Sequence, residues 1–190
     1  MAARADTLPD SCKLTYADYV TLPDDGRRYE ILDGELAVSP SPTSLHQLVS
    51  HNLDVALSTW VRARALGRMW AAPLDLILAD TVVTQPDLIY VSKSRSAIVS
   101  PRGLEAAPDL VIEILSESTA ARDRGVKMRI YARHGIPRYW IVDPEARTLE
   151  VYSLGDGVYE ATAAYHEGDV IRVDVPDGFT IDLAELWRED

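Results

Sequence analysis

A single cysteine, Cys12, stands among the 190 residues. That excludes an internal disulfide framework and a cysteine-based zinc site. Long apolar runs are missing too: none approaches the roughly 20 residues that a membrane-spanning helix needs. The opening MAARADTLPDSCK has no apolar signal-peptide core. The chain therefore reads as a cytoplasmic protein with no membrane partner. It holds no G-x-S-x-G nucleophile elbow, no P-loop and no G-x-G-x-x-G. Its four histidines, at 46, 51, 134 and 166, lack the H-E-x-x-H spacing of a zinc hydrolase.

What is present suits one soluble domain. The composition is 47% apolar and 26% charged, within the range of globular proteins, and the length is enough for a sizeable core. Residues 1–13 read as flexible, 14–144 as the core and 145–190 as a β-rich C-terminal extension. The net charge of −11 is uneven. Residues 1–138 hold 17 acids and 16 bases, whereas residues 139–190 hold 13 acids and 3 bases. The acidic tail should weaken non-specific attraction to nucleic acid. A basic stretch remains in the body: Arg122, Arg124, Lys127, Arg129, Arg133 and Arg138 against Asp123 alone. It is either a solvated helix face or a patch that meets phosphate.

Residues 15–21 suit a short helix. RYEILDGELAVS reads as a β-hairpin on an Asp33-Gly34 turn, with Ile31 opposite Leu36 and Leu32 opposite Glu35. Glu30 and Glu35 then share one face. A helix follows over 44–66, with Thr43 or Ser44 as N-cap and Gly67 as its stop. LDLILA (74–79), QPDLIYV (85–91) and PDLVIEIL (108–115) read as three strands able to pair as a meander. STAARDRGVKMRIYARHG reads as a helix closed by Gly135, and PRYWIVD (137–143) as a further strand. A helix between two such strands implies a right-handed parallel crossover. The expected fold is α/β, a mixed sheet flanked by helices. The tail's short β-runs extend that sheet or pair with a second subunit, which makes a homodimer the expected assembly.

Glu113 lies mid-strand between Ile112 and Ile114, where an uncompensated carboxylate is costly. Asp109 is on the same face but about 13 Å away at roughly 3.3 Å per residue. It reads as a capping or turn acid. Asp87 is the better companion, because QPDLIYV sets it in a similar apolar context. Two carboxylates on adjacent strands make a hard-oxygen site for Mg²⁺ or Mn²⁺. The competing structural reading is a buried acid satisfied by an arginine or by backbone donors.

Four stretches, in order, carry a resemblance: YEILDGELAVSPSPTSLH, QPDLIYV, APDLVIEILSEST and RDRGVKMRIYARHGIPRYWIVDP. Together they make the chain similar to the Uma2 family, the DUF820 group within the PD-(D/E)XK nuclease superfamily. The resemblance implies a restriction-endonuclease-like core and metal-dependent hydrolysis of phosphodiester bonds in nucleic acid, with DNA the expected substrate. It implies Asp87 and Glu113 as metal-binding acids. The superfamily usually has a lysine two residues after the second acid, and here that position is Leu115. Lys127, on one helix face with Asp123, is the replacement that the resemblance suggests; the alternative is a surface Asp–Lys pair. Glu35, or Glu30 in its stead, would add a metal ligand. His46 would orient phosphate or water, unless it merely caps its helix. Gln85 would orient Asp87. The displaced lysine and the acidic tail favour a second reading, a non-catalytic binding or assembly module on a nuclease fold. A third is a metal-dependent phosphoesterase with a substrate other than DNA.

Overall fold

The computed structural model describes residues 13–189; the reading of residues 1–12 as flexible lies outside them. After a one-turn helix, α1 (Tyr16–Tyr19), strands β1 (Arg28–Leu32) and β2 (Glu35–Ser39) form the hairpin. Ile31 stands opposite Leu36 and Leu32 opposite Glu35, the register the turn demands. Asp33 and Gly34 both have positive φ, 57° and 88°, the combination that lets a two-residue turn follow the twist of its strands.

Helix α2 (Ser44–Ala63) starts at Thr43, whose hydroxyl oxygen accepts the His46 N–H at 3.2 Å. Its buried stripe of Val49, Leu53, Leu57 and Val61 follows helical spacing. Each fully buried aliphatic side chain there contributes about 1.5–3 kcal/mol. The helix ends earlier than 66. Ala65 turns the chain with φ 53°, and Gly67 opens a strand, β3 (Gly67–Ala71), instead of stopping a helix. A Cβ at Gly67 would lie 2.1 Å from the Val91 carbonyl oxygen, so glycine is what lets β3 lie against its neighbour.

The expected meander does not form. The strands divide between two sheets. Strands β4 (Leu76–Ala79), β5 (Val82–Thr84), β7 (Val99–Ser100) and β8 (Gly103–Leu104) join the hairpin in the order β2-β1-β5-β4-β8-β7. Strands β6 (Leu88–Ser92), β9 (Leu110–Ile114), β10 (Arg138–Asp143), β11 (Thr148–Gly155) and β12 (Val158–His166) join β3 in the order β12-β11-β10-β9-β6-β3. LDLILA thus belongs to the first sheet and QPDLIYV to the second, and Gln85-Pro86-Asp87 carries the chain between them. The tail extends the second sheet beyond β10. A small antiparallel pair, β13 (Val170–Arg172) and β14 (Thr180–Asp182), precedes a terminal 3₁₀ turn, Leu183–Trp187.

The parallel crossover from β9 to β10 is as the order of elements required. Its helix has three parts: α3 (Ala120–Arg122), a π-helical turn (Asp123–Lys127) and α4 (Met128–Arg133). Gly135, at φ 75°, closes it.

The second sheet has a core on each face. Leu110, Ile112 and Ile114 of β9 pack with α2 and the terminal turn. Val111 and Leu115 pack with Tyr131, Tyr139 and the first sheet. Alternation puts Glu113 on this second face, between two sheets, where a carboxylate needs partners.

Candidate active site

Strands β6 and β9 are antiparallel neighbours with Leu88 opposite Ile112. One residue further along each lie Asp87 and Glu113, which are 4% and 1% exposed. Asp87 is tied to β9 directly: its Oδ2 accepts the Ile114 N–H at 2.8 Å. The structure therefore brings together the two acids that the strand pattern singled out. Asp109 lies outside the cluster: its Oδ2 accepts the Ser92 N–H at 2.7 Å, at the end of the neighbouring strand β6.

Lys127 reaches the same place from the crossover helix. Its Nζ lies 3.0 Å from Glu113 Oε1, 2.9 Å from Glu30 Oε1 and 3.5 Å from Asp123 Oδ1. It is buried, as are all three acids, so the surface-pair alternative does not apply. Tyr131, one turn on, donates its hydroxyl to Glu113 Oε1 at 2.7 Å. The π-helical turn that carries Asp123 and Lys127 is held from the sheet, because Tyr139 of β10 donates its hydroxyl to the Asp123 carbonyl at 3.0 Å.

His46 also arrives. Its Nε2 lies 3.3 Å from Asp87 Oδ2. Glu35 does not. It shares a face with Glu30 but sits beside the turn, level with Leu32, and is exposed. Glu30, opposite Ala37, is the hairpin acid at the site. Gln85 does not orient Asp87. Its backbone N–H donates to Glu30 Oε1 at 2.9 Å, and its amide donates to the Tyr19 hydroxyl and to Asp75.

Sequence reasoning passed over Arg28. Its Nη1 donates to Asp87 Oδ1 at 2.9 Å, and its Nη2 lies 3.9 Å from Glu113 Oε2. Strand alternation says only that Arg28 shares a face with Glu30, two residues on; it does not say that Asp87 and Glu113 meet it there. Arg122 closes the edge of the cluster, 3.5 Å from Glu30 Oε2 and donating to Ser39 Oγ at 3.2 Å. The rest of the basic stretch is largely matched by acids: Arg124 by Glu150, Arg133 by Asp33 and Arg138 by Asp174. Two of those acids belong to the tail, so the tail's charge neutralises part of the stretch.

The two central carboxyls are displaced in opposite directions. Burial pushes Glu113 up to about 8; Lys127 opposes this, while Asp123, Asp87 and Glu30 reinforce it. Burial would raise Asp87 as well, but His46, Arg28 and the Ile114 N–H together hold it well below the usual carboxylate range. Burial disfavours the Lys127 charge, yet Glu113, Glu30 and Asp123 outweigh it and keep the ammonium protonated. Such a split between neighbouring acids is typical of catalytic pairs, and also of structural ion networks.

Asp87, Glu113, Asp123 and Lys127 line an open pocket of about 530 Å³. The Ser39–Thr43 segment, His46 and residues 116–119 line it as well. Two hard carboxylates on an accessible pocket fit Mg²⁺ or Mn²⁺, which is commonly held by one or two carboxylates and completes its shell with water and phosphate oxygens. Among the described residues no three His, Cys, Asp or Glu side chains form a group that could hold a metal ion. Glu30 Oε2 and Asp123 Oδ1 are buried without a hydrogen-bond partner. Each has a cation 3.5 Å away, Arg122 for Glu30 and Lys127 for Asp123, so both are ion-paired but keep acceptor capacity that a further cation could use.

The Uma2 family, described as "Putative restriction endonuclease", matches residues 16–184. No curated protein matches the chain. Among solved structures, a "putative nuclease belonging to DUF820" from Anabaena variabilis superposes with a TM-score of 0.74 at 20% sequence identity, over 92% of this chain and 97% of that one. At that identity the likeness shows the nuclease-type fold.

Proposed function

The chain belongs to the Uma2 family, and from that membership we propose that it is a Mg²⁺- or Mn²⁺-dependent nuclease that hydrolyses phosphodiester bonds in nucleic acid, DNA foremost. The observation that carries the reading is the contact of Lys127 with Glu113, 3.0 Å apart although they come from different elements. It supports a lysine supplied by the helix in place of the one that Leu115 denies the strand. Asp87 and Glu113 would hold the cation. When bound, the cation supplies Lewis-acid polarisation of the phosphate and a lowered pKa for its water. Lys127 steadies the negative charge that develops as the water oxygen bonds to phosphorus and the P–O ester bond breaks; the leaving oxygen takes up a proton. His46 orients Asp87 through the 3.3 Å contact.

Asp87→Ala and Glu113→Ala should each abolish metal-dependent cleavage of plasmid DNA. Undiminished cleavage in both variants would sink the reading. One observation favours the second reading, a non-catalytic module: Arg28 already neutralises Asp87, as a bound cation would. Calorimetric titration with Mn²⁺ separates the two. Binding that is lost in Glu113→Ala supports the enzyme, whereas no binding between pH 6 and 9 supports the module.

A further inference from the structure

Arg28 stands where it would compete with the cation just proposed. Its guanidinium bridges the two acids, 2.9 Å from Asp87 and 3.9 Å from Glu113. A second cation on the same carboxylates would meet it in a poorly screened interior, where like charges a few ångströms apart repel strongly. One of them must give way.

The guanidinium is the group free to do so. Its side chain is 24% exposed, against 5% for Asp87, 1% for Glu113 and 3% for Lys127. It lines the open pocket and is more exposed than either acid. Lys127 cannot leave without stranding three buried carboxylates. Arg28 would strand none, since the incoming cation takes over Asp87 and Glu113. The arginine is also poorly satisfied where it is, because its buried Nε has no hydrogen-bond partner. A planar fork of N–H donors matches the oxygens of a phosphate as well as those of a carboxylate. The pocket it faces is where the scissile phosphate must lie if Asp87 and Glu113 hold the metal.

Resting on the metal-dependent reading above, we infer that Arg28 is a residue with two stations. Without a cation it sits on Asp87 and holds the paired acids in place. With a divalent cation on Asp87 and Glu113, it turns into the pocket and clamps the scissile phosphate through its N–H donors. There it shares with Lys127 the charge that grows on the phosphoryl oxygens. No bond is made or broken by Arg28; its contribution is electrostatic and positional.

The two stations predict opposite effects of one substitution. Removing the competitor should strengthen metal binding, and removing the clamp should slow the reaction. The test uses the full chain as wild type, Arg28→Gln and Arg28→Lys, with folding checked by circular dichroism and thermal melting. Mn²⁺ affinity is read by calorimetry without substrate, and single-turnover DNA cleavage is read at saturating Mn²⁺. Arg28→Gln should bind Mn²⁺ about tenfold tighter, the scale of a lost charge-assisted contact, and cleave about 100-fold more slowly. Arg28→Lys keeps the charge but not the fork, so its Mn²⁺ affinity should stay within about threefold of wild type while cleavage still falls; if Arg28→Gln does not fold, this variant carries the test. Cleavage by Arg28→Lys equal to wild type overturns the clamp. Slower cleavage by Arg28→Gln with unchanged Mn²⁺ affinity overturns the first station, and tighter binding with unchanged cleavage overturns the second. Where the wild type binds Mn²⁺ and cleaves, a variant unaltered in both overturns the inference alone. Absence of Mn²⁺ binding in wild type and variants alike overturns it together with the reading it rests on.

Discussion

Glu30 and Glu35 are carried by the two strands of one hairpin and point to the same face of it, yet their fates differ. Glu30 is fully buried, 2.9 Å from the Lys127 ammonium, and accepts the Gln85 N–H. Glu35 is exposed. Two things separate them. Strand β1 lies between β2 and β5, whereas β2 is the edge of its sheet. Along the hairpin, Glu30 is level with Ala37, away from the turn, and Glu35 adjoins it. Alternation says which face a side chain takes; it does not say which end of the strand will be covered. Burial then needs a countercharge, and Lys127 provides it for Glu30.

The sharpest way to break this contrast is to remove that countercharge. Lys127→Met should abolish cleavage and lower unfolding free energy by about 3 kcal/mol, the scale for stranding buried charges. Denaturant unfolding checks the second effect, and an unchanged midpoint would mean that Glu30 is not held by the ammonium. A smaller effect separates the two glutamates themselves. Glu30→Gln should lower kcat about tenfold, with KM little changed, because it loosens the lysine near the reacting centre. Glu35→Gln should leave cleavage unchanged and stability within about 0.5 kcal/mol. Equal losses in the two would erase the distinction.

A further effect is a slope with pH. Glu113 binds its proton more tightly folded, up to about 8, than its ordinary value of 4.5. Between those values the folded state holds more proton than the unfolded one, so this group's contribution to stability falls as pH rises. Asp87, depressed by its partners, contributes stability above its ordinary value of 3.8 and loses it as pH falls below. Unfolding of the metal-free protein followed from pH 5 to 8 should therefore show a downward component that Glu113→Gln removes. The same slope in that variant would assign it to another group.

Much of this is legible in the sequence. The Asp33-Gly34 turn sets the hairpin register, Glu113 stands out as an acid in an apolar strand, and the crossover fixes β9 beside β10. Asp87 stands out by the same apolar strand context, but Lys127 needs the family pattern as well, because nothing in its local spacing says what its helix will face. Strand β3 was missed because GRMWA does not alternate and its glycine looks like a helix stop until the Val91 carbonyl is seen beside it. The division into two sheets was missed because LDLILA and QPDLIYV are equally apolar, and their partners are set by contacts distant in sequence. Arg28 follows Arg27 after a turn and so reads as solvated charge; only the tertiary fold supplies its acids.

One hydrogen bond fastens the turn that carries the lysine to the sheet. The π-helical turn is wider than an α-helical one, and its Asp123 carbonyl is pinned by the Tyr139 hydroxyl on a neighbouring strand. The gauge of that turn is therefore kept by the sheet, through a residue that touches neither Lys127 nor either central acid in any contact described above. A lysine on the strand would inherit its alignment with Glu113 from the pleat. This one depends on a fastening between two elements, and Tyr139→Phe, which removes one hydroxyl, takes that fastening out.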